Sequence, residues 1–173
     1  MRVTTRRATV DDAALLASLG RSTFIDTFAA DNTPENMALY LPASFGESIQ
    51  RAELADTRHT IVLAERDGAA VGYAMLRDGP APEAIGDADA IEIVRLYAVK
   101  HLIGAGIGAT LMQRCLDEAG RLGKRSIWLG VWEHNTRAQG FYRRWHFADV
   151  GSLTFMLGHD RQTDRLYARR VDA

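Results

Sequence analysis

Glycines stand at positions 104, 106 and 108, between the apolar run Leu96-Tyr97-Ala98-Val99, from which Lys100 to Ile103 separate them, and an amphipathic stretch. Glycine has no side chain, so it neither blocks a ligand nor forbids unusual backbone angles. Successive N–H groups in such a turn point into one concavity. The start of the following helix adds the positive end of its dipole, and the two together hold phosphate. Two phosphate chemistries fit the spacing. Gly104-x-Gly106-x-x-Ala109 satisfies the dinucleotide fingerprint, and Glu133 follows a later strand where a ribose contact belongs. Against that reading, the turn lies deep in the chain rather than in its first strand–helix unit, and the connection after Val99 is long. A third reading is packing alone, with glycines that let a helix lie close on a sheet.

Other side chains able to do chemistry are scattered. Glu92 is an acid in an otherwise apolar strand, pointing opposite to Ile91 and Ile93. Partial burial would raise its pKa toward the range of a general base. Its ordinary alternatives are a solvated strand edge or an ion pair with Arg95. Tyr142 falls in the set Ala138, Phe141, Tyr142 and Trp145, whose helical spacing reads as core. Asn135 precedes that set where an N-cap belongs. His101 and His134 share no element at metal-ligand spacing, so no metal is expected. Cys115 is the one cysteine and sits on an apolar helix face. It reads as a buried structural thiol, and with no disulfide open to a single cysteine a cytoplasmic setting is expected.

The elements that must position these groups are legible in order. Val3 to Ala8 leans toward a strand. Asp11 stands as an N-cap before a helix patterned by Ala14, Leu15, Leu19 and Phe24, and Ser22 to Phe28 continues or bends it. Thr33-Pro34-Glu35 starts a second helix, expected to stop at Pro42. A third short helix runs from Phe45 to near Asp56. Ile61 to Glu65 and Ala70 to Leu76 form a hairpin around Arg66-Asp67-Gly68-Ala69. Asp78 to Ala90 is a loop, and Ile91 to Val99 a long strand. That strand is apolar at odd positions first and at even positions from Val94 on. Either both faces are covered, or a bulge near Val94 or Arg95 flips the alternation. After the turn, Ile107, Leu111, Cys115, Ala119 and Leu122 line one helix face, Asp117, Glu118 and Arg121 lie off it, and Gly123 stops it. Ser126 to Trp132 is a strand, a helix follows Asn135, and strands at 147–157 and 166–171 close the chain.

The bulk properties bound the rest. The chain has 173 residues, 25% charged and 47% hydrophobic, with a formal net charge of -1. Those values suit one domain, 1–173, with a sizeable core. Near-neutral charge argues against bulk nucleic-acid binding. No apolar run reaches membrane-spanning length, and Met1 to Arg7 lacks the apolar core of a signal peptide.

Read together, these residues resemble the GNAT superfamily of acyl-CoA-dependent N-acetyltransferases. The resemblance rests on Arg95-Leu96-Tyr97-Ala98-Val99 with Gly104-Ala105-Gly106-Ile107-Gly108, and on Val131-Trp132-Glu133-His134-Asn135 with Ala138, Phe141 and Tyr142. The amino-terminal strand, helices and hairpin precede them in the superfamily's order. Within it the chain looks closest to PaiA-type bacterial polyamine acetyltransferases, through Asp26-Thr27-Phe28 and the tail Gly151-Ser152-Leu153-Thr154-Phe155, Gly158 and Gln162-Thr163-Asp164. The resemblance decides the phosphate contest for the pyrophosphate of coenzyme A. It implies an α/β fold with a mixed, mostly antiparallel central sheet, flanked by helices and splayed at its centre. It implies acetyl-CoA as co-substrate and a small amine such as a polyamine as acceptor, by direct attack in a ternary complex; a homodimer is among the implied partners.

The resemblance also assigns residues. Leu96, Tyr97, Ala98 and Val99 would offer main-chain groups to the pantetheine arm and the thioester oxygen. Ile103, Gly104, Ala105, Gly106, Ile107, Gly108 and Ala109 would cradle the pyrophosphate, and Asn135 would cap its helix and touch the coenzyme. Tyr142 would protonate the departing thiolate, and Glu92 is the candidate base. Asp26 and Glu133 are secondary candidates for holding a cationic acceptor. Two positions depart from the pattern. Ile103 replaces a polar residue of the turn, and His146 replaces a glycine before Phe147. The rival reading is an acyl-CoA-binding module without catalysis.

Overall fold

The computed structural model describes residues 3–172; Met1 and Arg2, part of the stretch read for a targeting signal, and Ala173 lie outside the described residues. One sheet runs in the order β1-β2-β3-β4-β5-β7-β6. Its strands are β1 Val3–Arg7, β2 His59–Arg66, β3 Ala69–Arg77, β4 Ile91–Ala98, β5 Ser126–Trp132, β6 Ala148–Leu157 and β7 Asp160–Arg170. The helices are α1 Ala13–Phe28, α2 Pro34–Phe45, α3 Glu47–Ala55, α4 Ile107–Arg121 and α5 Thr136–Arg144. Every neighbouring pair of strands is antiparallel except β4 with β5. The expected mixed, mostly antiparallel architecture is the one observed.

The phase conflict in β4 is a bulge. Met75 pairs with Arg95 and Leu76 with Ile93, which leaves Val94 as an extra residue. Ile91 and Ile93 pack in the core under α4. Beyond the bulge it is Leu96 and Ala98 that do so, while Val94 and Tyr97 join the opposite core against α1. The odd phase therefore records one inserted residue and two covered faces at once. The same strand sets up the central gap. β4 meets β5 at only two pairs, Ile91 with Ile127 and Glu92 with Trp128. Past them β5 stays with β7 along its whole length, and the ends of β4 and β5 diverge.

Several local expectations need correction. Asp11 is exposed and does not cap α1; Asp12 stands there, buried, accepting 2.8 Å bonds from Arg6 and from the Thr9 N–H. Pro42 does not end α2, which continues to Phe45 because Leu41 and Phe45 are both buried in the core beneath it. Glu118 is not on the outer face of α4; it is buried and held by Arg114 at 2.7 Å and Arg121 at 2.8 Å, whereas Leu122 is exposed. Other signals read correctly. Thr33 accepts from the Asn36 N–H with Pro34 behind it, and Asp67 and Gly68 both take positive φ in the hairpin turn. His146 adopts the left-handed angle, φ 64°, that a glycine usually supplies. Among the described residues no helix is long and apolar enough to cross a membrane.

Candidate active site

The glycine turn leaves β4 through a short 3₁₀ turn, Lys100–Leu102. The N–H groups of Leu102, Ile103 and Ala105 are spent inside it. Gly104 and Gly106 then take φ of 90° and 86°, angles at which any other L-residue is strained, and no atom stands within 4 Å of where a Cβ on either would be. Gly106 is the N-cap of α4 and brings no side-chain cap. The first-turn N–H groups of a helix have no intrahelical partner, so those of Ile107, Gly108 and Ala109 open onto that space. A side chain elsewhere would have filled the concavity. Here it stays empty of protein atoms and carries the positive end of a 15-residue helix. This geometry fits a diphosphate.

A cleft of about 290 Å³ adjoins the turn, lined among others by Ala98, Lys100, Ile103, Trp132, Asn135 and Arg137. Ile103 indeed presents an exposed apolar side chain where the family pattern has a polar one. Lys100 and Arg137 stand around the same cleft and bring the positive charge that Ile103 lacks. Asn135 caps α5, its side chain accepting from the Ala138 N–H at 3.2 Å, and it faces the cleft as well.

The gap between the strands extends the cleft inward. The Val99 N–H donates to the Val71 carbonyl at 2.9 Å, and the ladder with β3 runs without a break from Arg95 to Ala98. Main-chain polar groups alternate sides along an antiparallel strand. Those of Tyr97 and Val99 therefore face β3. Those of Leu96 and Ala98 turn to the side that β5 has left. Of the four residues from Leu96 to Val99, two offer free main-chain groups to a ligand and two are spent in the sheet.

Tyr142 lies in the core beside this gap, with the rings of Phe141, Phe147 and Tyr167 around it. Burial, with Cys115 a smaller contributor, pushes its hydroxyl well above the ordinary tyrosine value, so it is protonated at neutral pH. Cys115 itself is buried, its thiol pushed up to about 12 by desolvation, and is inert as read from its helix face.

Glu92 is not brought to the cleft. It stands at the closed end of β4, six residues from Ala98, a separation of roughly 20 Å along the strand. Its carboxylate accepts from Arg77 at 2.9 Å, directly across the ladder. Arg95 is not its partner either, because the bulge turns Arg95 toward α3, where Glu53 holds it at 2.7 and 3.0 Å. Glu133 is exposed near His134, and His134 packs edge-on against Trp132. His101 is exposed on the 3₁₀ turn. Among the described residues no group of three or more His, Cys, Asp or Glu side chains is placed to hold a metal ion.

The face of the gap opposite α4 is aromatic, and residue reasoning missed it. Phe24 and Phe28, one turn apart at the end of α1, span the divergence: Phe24 meets Tyr97 of β4 at 6.4 Å and Phe28 meets Trp132 of β5 at 6.2 Å. Tyr40 of α2 stacks on Phe24 at 4.8 Å and meets Phe155 of β6 at 5.7 Å. The i, i+4 pair of phenylalanines was the available signal. Asp164 of β7 completes this face. It pairs in register with Trp132, and its carboxylate lies over Gly130, with Oδ2 3.2 Å from where a Cβ there would be.

The comparisons with known proteins agree with this geometry. A family model described as the acetyltransferase (GNAT) family matches residues 24–147. The chain belongs to the GNAT acetyltransferase family. An uncharacterized N-acetyltransferase of Lactobacillus delbrueckii is 35% identical over 154 residues, 89% of each chain. An uncharacterized N-acetyltransferase of Mycobacterium tuberculosis is 34% identical over 92% of this chain and 98% of its own. The GNAT fold also recurs in solved structures of low identity. The PaiA N-acetyltransferase of Thermoplasma acidophilum, crystallised with coenzyme A, superposes with a TM-score of 0.80 at 17% identity, over 98% of this chain and 99% of that one. An acetyltransferase-like protein of Salmonella typhimurium, crystallised with acetyl-CoA, gives 0.69 at 19% identity, over 100% and 96%. As a GNAT member the chain is an acyltransferase of the N-acetyltransferase class.

Proposed function

We propose that this protein transfers the acetyl group of acetyl-CoA to the primary amine of a small cationic acceptor, such as a polyamine, by direct attack in a ternary complex. The divergence of β4 and β5 beside an uncapped, glycine-lined helix start is the observation that carries the reading. The first-turn N–H groups of Ile107, Gly108 and Ala109 hold the diphosphate, with Lys100 and Arg137 beside them. The pantetheine arm enters between the strands, bonding the free main-chain groups of Leu96 and Ala98. One of those N–H groups faces the thioester oxygen, where a single donor is worth about a hundredfold or more in rate. Asn135 fixes the start of α5, and α5 carries Tyr142 to the sulfur.

Support for a cationic acceptor comes from carboxylates in the same cleft. Asp26 and Asp31, from the end of α1 and the turn after it, line the cleft along with Lys100 and Arg137. A polyamine has cations to spare for such carboxylates. The test is thiol release from acetyl-CoA with spermidine, butylamine and an amino acid as acceptors. Wild-type protein releases thiol only when an amine is present. Tyr142→Phe binds coenzyme A unchanged and turns over about 10² to 10⁴ more slowly. Coenzyme binding with no amine-dependent release would instead make the chain a silent acyl-CoA-binding module.

A further inference from the structure

Asp164 is a half-buried carboxylate without a counter-ion among the described residues, whereas the other buried or half-buried acids each pair with an arginine or a lysine. Asp12, Glu53, Glu92, Glu118 and Asp149 each contact an arginine at 3.0 Å or closer. Asp164 has no hydrogen bond and no ion pair among the described residues, and desolvation alone acts on it, lifting its pKa to about 6. Its neighbours in register are Trp132 on β5 and Leu153 on β6. Gly130 beneath it contributes no side chain, and the Asp164 side chain takes the space a Cβ there would need, its Oδ2 3.2 Å from that position. The β6–β7 turn that places it is pinned: the His159 N–H donates to Asn36 at 2.9 Å, and Gln162, on the same face as Asp164, donates to Asn32 at 2.7 Å. The titratable groups that face it are few. From α2 the Tyr40 hydroxyl senses it, its own pKa raised by burial and further by this carboxylate. From α1 and the following turn Asp26 and Asp31 are exposed and line the cleft. β5 and β6 present Gly130, Trp132, Leu153 and Phe155, which do not titrate.

An unpaired, half-buried carboxylate ringed by aromatic faces is a receptor for an ammonium group, which gains from both the charge and the ring quadrupoles. We propose that Asp164 receives the ammonium of the acceptor and takes its proton, the role that Glu92 is not placed to fill. The inference rests on the acetyl-transfer reading. The ammonium gives one proton to the Asp164 carboxylate and becomes a free amine. Its lone pair attacks the thioester carbon; the C–N bond forms and the C–S bond breaks, sulfur leaving with the bonding pair. The sulfur takes a proton from the Tyr142 hydroxyl. The second proton lost by nitrogen restores Tyr142, and the one on Asp164 passes to solvent.

The experiment is a pH profile of kcat/KM for spermidine and for butylamine on wild type and Asp164→Asn, with coenzyme A affinity measured by calorimetry on both. Wild-type kcat/KM falls tenfold per pH unit below about 6, where Asp164 protonates. Asp164→Asn binds coenzyme A as wild type does, loses about 10² to 10⁴ in kcat/KM, and lacks that limb. An Asp164→Asn protein that keeps wild-type rate and the acidic limb overturns the assignment while the acetyl-transfer reading stands. Wild-type protein that acetylates no amine overturns both.

Discussion

Asp164 and Tyr142 are both forced by burial toward their neutral forms, with opposite consequences. In the proposed reaction Tyr142 works in its neutral form, and the fold need only keep it. There Asp164 works as the anion, which the fold disfavours. Folded protein binds its proton more tightly than the unfolded chain, so between the ordinary value of 3.8 and about 6 the native state holds more protons. Stability contributed by this group is therefore present at low pH and is lost as pH rises through that window. Asp164→Asn removes the loss. Thermal unfolding at pH 7 should show the variant melting above wild type, by about 2–4 °C for each kcal/mol recovered in a chain of this size, and matching it near pH 4. A melting point lowered at pH 7 would mean that the carboxylate supports the fold rather than strains it. Such a trade of stability for function is common at active sites. At this scale the sequence was uneven. Asn135 was legible as the cap of α5, and Tyr142 as a core position of that helix, because their motif is local. Asp164 was not, because an aspartate between Thr163 and Arg165 looks like any strand residue until β5 brings Trp132 and Gly130 beside it. Glu92 misled for the converse reason: an acid in an apolar strand is conspicuous, but the arginine that neutralises it lies 15 residues earlier on β3.

Among the elements, the turn into α4 does most to define the site. Its two left-handed glycines leave their Cβ positions vacant, so the fold itself tolerates the bulk of a side chain but not the backbone angle. Gly106→Ala should cost about 1–2 kcal/mol, the penalty of a left-handed L-residue, expressed as coenzyme A binding weakened about 5- to 30-fold in calorimetry. Unchanged affinity would show that the N–H groups here do not hold the diphosphate. Elements were more legible than residues. The bulge in β4 announced itself as a change of phase, and the hairpin, the Thr33 cap and the stop at Gly123 follow from local chemistry. Pro42 and Glu118 were misread because local rules gave way to tertiary context: buried Leu41 and Phe45 hold the last turn of α2, and two arginines on α4 fold over Glu118.

Across the whole molecule, a net charge of -1 conceals a cleft lined by both signs. Lys100 and Arg137 line it together with Asp26 and Asp31. In the proposed reaction the cations serve a phosphorylated carrier and the carboxylates an amine. That grouping was invisible in composition; it emerges only when the fold brings the end of α1, the turn before α4 and the start of α5 to one place. The measurement that bears most directly on this account is a calorimetric titration of coenzyme A into the purified protein. It should show saturable binding at one site per chain, displaced by acetyl-CoA and not by NADH. Absence of binding heat and of competition would contradict the account, leaving the gap between β4 and β5 without a ligand and Tyr142 as a packing residue.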